Sequence, residues 1–205
     1  RAFINAGWAN QTQPYHDSII RISTMAYNRL LARISAPAVE PLTVSETKIY
    51  LRVDHETEDT LIGDLITSAR MSAENWLRRS LIHQSWKLGY DECAPMQLDL
   101  PMGPVNSLTS VSIIDRDNNT NIVDDACYSL NSAKTMLRFD MPVYGFHIEI
   151  LYSTGYGAAA ANVPAPIRQG MLSHIAAMYD NRGEYNVAIP DQSYSLYLPF
   201  REVML

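Results

Sequence analysis

Cysteine is scarce in this chain. Its 205 residues include two, Cys93 and Cys127, which form no C-x-x-C pair and are too few for a disulfide framework. Both are expected to be reduced thiols of a cytosolic setting, with no structural zinc. Positive charge is also in deficit, since 16 Lys and Arg against 22 Asp and Glu leave a formal charge of −6. A surface of that sign repels a phosphate backbone, which argues against tight nucleic-acid binding. No apolar run reaches the roughly 18 residues that cross a membrane, and residues 1–13 lack the basic-then-apolar layout of a signal peptide. The expectation is a soluble protein that stays inside the cell, with no membrane partner.

What is present suits one folded domain with appendages. Hydrophobic residues make up 47% and charged residues 19%, a balance that excludes disorder over most of the length. From Pro14, the positions Ile19, Ile22, Ala26, Leu30 and Ile34 recur at threes and fours and predict a helix that Ser35-Ala36-Pro37 stops. Thr43 with Glu46 has capping-box spacing and starts a short helix to about Arg52. A long helix over 57–79 carries Leu61, Leu65, Ala69, Ala73, Trp76 and Leu77 on one stripe, with acids in its first turn and Arg78-Arg79 in its last.

From Gln84 the period changes to two, as Trp86, Leu88 and Tyr90 alternate with Ser85, Lys87 and Gly89. Further strands are predicted at Gln97–Leu100, Ser110–Asp115, Tyr128–Asn131, Met136–Phe139 and Phe146–Tyr152, with turns at Asp117-Asn118-Asn119 and Met141-Pro142. No helix-length segment separates them, so the pairing should be antiparallel. Pro164 and Pro166 lead into a last helix bearing Ile167, Met171, Ile175 and Met178, stopped at Arg182-Gly183. The fold class expected is α+β, a helical body with a small antiparallel sheet between the long helix and the last one. The divisions are 1–35, an extension with an amphipathic helix; 36–183, the main domain; and 184–205, a tail. That tail carries Tyr194, Tyr197, Leu198, Pro199, Phe200 and Arg201. It is too apolar to be simply solvated and reads as a docking segment.

Signals for chemistry are weak. Gly155-Tyr156-Gly157-Ala158-Ala159-Ala160 matches the G-x-G-x-x-A fingerprint after a predicted strand, but Pro164 and Pro166 fall where the phosphate-binding helix should continue. A flexible turn is the better reading. A small α+β enzyme or ligand-binding module using that turn is the alternative function. His16, His55, His83, His147 and His174 are dispersed, with no H-E-x-x-H pair. The acids at 54–59 suit a helix start better than a metal, and there is no G-x-S-x-G elbow. Catalytic residues, cofactor and metal are all expected to be none. Arg70, Arg78 and Arg79 around Trp76 read as a cationic helix end beside a core tryptophan, in preference to a nucleic-acid patch.

One resemblance covers residues 36–205. Its marks, in order, are Pro37 to Leu42, Leu51-Arg52-Val53-Asp54, Asp59 with Leu61-Ile62, Leu81-Ile82, and Gln84-Ser85-Trp86. They continue with Leu100-Pro101, Pro104-Val105, Ser110-Val111, Tyr152 to Gly157, Pro164 to Ile167 and Pro199-Phe200-Arg201. This pattern resembles the head-tail connector (adaptor, head completion) proteins of tailed bacteriophages and gene transfer agents. The resemblance implies a non-enzymatic virion protein: a homo-oligomeric ring, a dodecamer in the family, beneath the portal protein. Such a ring extends the DNA channel and meets a stopper or tail-completion protein, and genomic DNA passes through it without sequence-specific binding. Negative charge suits that passage, because tight phosphate contact would stall DNA exit. The long and last helices would form the body and the sheet would meet neighbours or the tail side. The apolar tail would reach the portal or the next subunit and order on assembly. The helix predicted before residue 36 is not part of the shared pattern.

Overall fold

The computed structural model describes residues 29–182 and 187–202. Four helices form one layer: α1 (Val44–Leu51), α2 (Asp59–Leu77), α3 (Ala165–Asp180) and α4 (Asp191–Tyr197). Thr43 caps α1, its Oγ1 accepting from the Glu46 amide at 3.1 Å, so one orphan donor of the first turn is satisfied. The Glu46 carboxylate turns to the Arg168 guanidinium of α3. Arg52 and Arg78 end α1 and α2 in left-handed conformation, where backbone amides return to carbonyls of the last turn.

The buried stripe of α2 is Ile62, Ile66, Ala69, Ala73 and Leu77, rotated one residue from the expected Leu61 and Leu65, which stay half-buried. The rotation brings Arg70 and Glu74 inside. With Ile167, Met171 and Ile175 of α3, Leu42, Leu81, Ile82 and Tyr197, this stripe forms the helical core.

The remainder is two antiparallel sheets, and here the expectation of a helical body with one small sheet is corrected. Among the described residues there are eight strands: β1 (Arg29–Ser35), β2 (Gln84–Cys93), β3 (Gln97–Asp99), β4 (Val105–Ile114), β5 (Thr120–Ile122), β6 (Tyr128–Leu130), β7 (Met136–Phe139) and β8 (Tyr144–Thr154). Five pair in the order β1-β2-β8-β4-β5 and three in the order β3-β7-β6. Leu88, Tyr90, Val111, Ile148, Ile150 and Tyr152 on the large sheet meet Leu98, Leu137 and Phe139 on the small one in a second core. The class is α+β, but half the fold is sheet.

The N-terminal helix is corrected over its last part. Residues 29–35 are a strand paired antiparallel with β2, Leu31 opposite Leu88; Pro14 to Asn28, with Ile19, Ile22 and Ala26, lies outside the described residues. The physical reason is that Leu30 and Ile34 stand four apart, an even spacing that a strand of period two satisfies as well as a helix does. Strand β4 begins five residues before its predicted start because register shifts between Val105 and Ser107 and between Leu108 and Ser110 reset its alternation.

Candidate assembly surfaces

The helical layer is joined to the sheets through a buried polar network. Glu74 and Arg70, one turn apart on α2, are 3% and 4% exposed, and charges that deep must be paired. Arg70 Nη1 donates to Glu74 Oε2 at 2.9 Å and Arg70 Nε to Glu40 Oε2 at 2.7 Å. The other Glu74 oxygen accepts from the Leu81 amide at 2.9 Å and from Gln84 Nε2 at 2.5 Å. One carboxylate thus ties α2 to the loop that becomes β2. Burial pushes the Glu74 carboxyl up, against the pull of the Leu81 amide, Arg70 and Gln84. Burial lowers Arg70, but the Glu40 and Glu74 carboxylates outweigh it and hold the guanidinium above its ordinary value. Alongside, Ser80 Oγ accepts from Trp86 Nε1 at 3.0 Å and from Thr154 Oγ1 at 2.7 Å. Sequence reasoning read Arg70 as part of a cationic helix end; the available signal for its burial was an Arg and a Glu at i, i+4 inside an apolar stripe.

The C-terminal segment folds back on the helices of its own chain. The ring of Tyr197 is fully buried and occupies the space a Cβ on Gly170 of α3 would need. Ser193 Oγ donates to the Gly170 carbonyl at 2.8 Å, and the Glu202 amide donates to the Leu77 carbonyl at 3.0 Å. Trp76 stacks obliquely on Tyr194, with ring centres 5.2 Å apart, and the Arg201 guanidinium lies 4.7 Å from the Trp76 ring centre. The six tail residues singled out above therefore divide. Tyr197 is core, Tyr194 and Phe200 are half-buried against the helices, and Leu198, Pro199 and Arg201 face outward. Leu198 is 64% exposed, an apolar side chain held in the open by a buried neighbour.

A second clamp closes the far end of the layer. Glu58 accepts from Tyr179 and, at 2.7 Å, from Arg182, whose guanidinium also sits 4.0 Å from the Tyr179 ring centre. These two donors, Tyr179 foremost, hold the Glu58 carboxyl below its ordinary value.

The glycine turn after β8 is filled by protein. Gly155 has φ +119°, and a Cβ there would lie 2.5 Å from the Ile82 backbone; at Gly157 it would meet Asn162. These glycines permit close backbone packing, and no phosphate cradle is open at them. Arg70 is buried in the middle of α2 and not at its end, and Trp76 is covered by Tyr194, Tyr197 and Arg201. Among the described residues no group of three or more His, Cys, Asp or Glu could hold a metal ion, and no helix is long and apolar enough to cross a membrane. Cys93 and Cys127 are free.

Comparison with known proteins gives these surfaces their context. A search of curated protein sequences returned no match. Among solved structures, a chain of the neck of an empty gene transfer agent particle, computed with C6 symmetry, superposes with a TM-score of 0.73 at 21% identity. It covers 86% of this chain and 97% of that one. A chain of the native gene transfer agent virion gives 0.74, and one of the native neck computed with C12 symmetry gives 0.70, each at the same identity and coverage. At that identity the likeness is one of fold. The model of the phage gp6-like head-tail connector protein matches residues 41–134, from the loop before α1 to the turn before β7. Over that segment, a little under half of the chain, the sequence is similar to the phage gp6-like head-tail connector family.

Proposed function

We propose that copies of this chain assemble into a closed ring, twelve in number, in the neck of a phage-like particle. The ring sits beneath the portal protein, continues its DNA channel and offers its far side to a stopper or tail-completion protein. Assembly takes place in the host cytoplasm and no catalytic step is involved. The observation that carries this reading is the fold likeness over 97% of the neck chains, whose particles were computed with C6 and C12 symmetry. A net charge of −6 per chain supports a lumen that duplex DNA slides through without sequence-specific contact.

The tail, 184–205, is proposed as the docking element. Tyr197 and Tyr194 anchor it, and of the six residues singled out Leu198, Pro199 and Arg201 are exposed and available to touch a partner, the portal or the next subunit. Phe200 braces the turn from beneath.

The test is native mass spectrometry with negative-stain imaging of the full chain mixed with the portal protein encoded beside it. A ring of twelve chains stacked on the portal is expected. A chain that stays monomeric and ignores the portal overturns the reading.

A further inference from the structure

The large sheet has two open edges of opposite character. Strand β1 pairs only with β2 and β5 only with β4, so among the described residues each has one side with unpaired backbone donors and acceptors, a template for another strand. At the β1 edge Leu30 is 63% exposed and is flanked by the exposed Arg29 and Arg33. At the β5 edge Ile122 is 75% exposed, and the loops on either side of β5 carry Asp115, Asp117, Asp124 and Asp125 against one cation, Arg116. One edge is apolar and basic, the other apolar and acidic.

The register relates them. Leu30 lies opposite Gly89, Gly89 opposite Glu149, Glu149 opposite Ser112, and Ser112 opposite Ile122. The two exposed apolar side chains therefore end one row across the same outward face. Four successive antiparallel pairings also leave β1 and β5 running in the same direction. A second copy displaced along the sheet, or turned by a small angle, would bring its β5 beside β1 in parallel pairing with that row continued.

We infer that β1 of one copy and β5 of the next are the two halves of a subunit contact, in which Leu30 meets Ile122 and the arginines of one edge meet the aspartates of the other. This inference rests on the proposed ring and deepens it. Because the halves differ, the contact is heterologous and propagates from copy to copy until rotation closes it. The shared ladder is only as long as β5, three residues, so a single contact is weak and closure supplies avidity. Opposite charges on the two edges set the direction and oppose pairing of like edges.

The experiment uses the full chain on its portal, with Cys93 and Cys127 replaced by serine and Leu30→Cys and Ile122→Cys introduced singly and together. Neighbouring strands lie roughly 4.8 Å apart, inside the roughly 4.4–6.8 Å a disulfide spans between Cα atoms. Expected under oxidation are a ladder of covalent multimers from the double variant, a dimer from the mixed single variants, and none from either single variant alone. Homodimers of the Leu30→Cys chain overturn the inference, and so does a ring, verified by native mass spectrometry, that yields no crosslink. If the unaltered chain forms no ring, the proposed function fails and this contact fails with it. An independent readout keeps the native cysteines. Ile122→Lys is expected to abolish the ring with the melting temperature little changed, because Ile122 is 75% exposed within its own subunit; an undiminished ring overturns the pairing. Protection of β1 amides from hydrogen exchange in the monomer, lost when residues 1–28 are deleted, would instead assign that edge to the chain's own N-terminal segment and overturn the inference.

Discussion

Tyr197 carries two opposite effects in one side chain. Its ring fills the notch that Gly170 leaves in α3 and touches Trp76, with ring centres 6.0 Å apart, yet its buried hydroxyl makes no hydrogen bond among the described residues. Tyr197→Ala should cost about 3–5 kcal/mol through the cavity it leaves. Tyr197→Phe should be neutral or stabilising by about 1 kcal/mol, since it removes an unpaired buried donor and keeps the ring. Urea unfolding of the two variants checks both signs. His174, 2% exposed on α3, is held below its ordinary value of 6.5 by burial, only partly offset by the Val187 carbonyl. The unfolded chain then binds a proton that the folded one refuses. Stability should therefore be full above the ordinary histidine range and fall as pH drops from about 6.5 through the lowered value. Melting curves between pH 7.5 and 5, on the order of ten points, should slope downward for the native chain and flatten for His174→Leu; an unchanged slope would remove His174 as the cause.

At the scale of elements, the orientation of the helices on the sheets depends on the Glu74 carboxylate receiving three donors, from Arg70, Leu81 and Gln84. Glu74→Ala should cost about 3–5 kcal/mol, because it strands Arg70 in the interior with Glu40 alone. The double variant Arg70→Met with Glu74→Leu should recover most of that loss, as apolar replacement of a buried pair often does. A double-mutant cycle by chemical denaturation gives the coupling directly, and a double variant as damaged as the single one would show that the pair, not its burial, supplies the stability. Elements with a strong local signal were legible in the residues alone. Thr43 and Glu46 gave the start of α1, the Trp86-Leu88-Tyr90 alternation gave β2, and Pro164 and Pro166 gave the start of α3. Elements fixed by tertiary pairing were not. Strand β1 has an even apolar spacing that fits either period, and all three β5 residues are exposed and carry no alternation. The tail helix α4 offers only seven residues, its place set by the notch at Gly170. The Glu40 arm of the Glu40-Arg70-Glu74 network was invisible for the same reason, since Glu40 lies 30 residues from Arg70 along the chain.

For the whole molecule, the buried anchor and the exposed tip of the tail separate folding from assembly. Truncation before α4 would remove Tyr197 from the core and Tyr194 from Trp76, so a shortened chain that failed to attach would report misfolding as readily as lost docking. A point change at the tip avoids this. Leu198 is 64% exposed and ends α4, and the Arg201 amide returns to its carbonyl at 3.3 Å; a new side chain there leaves that backbone turn in place. Leu198→Asp should change stability by no more than about 0.5 kcal/mol, the usual range for surface substitutions. If this tip is the docking contact, burying the new carboxylate against an apolar partner should lower portal affinity by roughly tenfold or more, since desolvating an unpaired charge costs well over 1.4 kcal/mol. Circular dichroism melts paired with portal pull-down across a concentration series measure the two quantities separately. Full attachment by a normally folded Leu198→Asp chain would move the docking surface away from the tail and toward the sheet, whose two edges are open among the described residues.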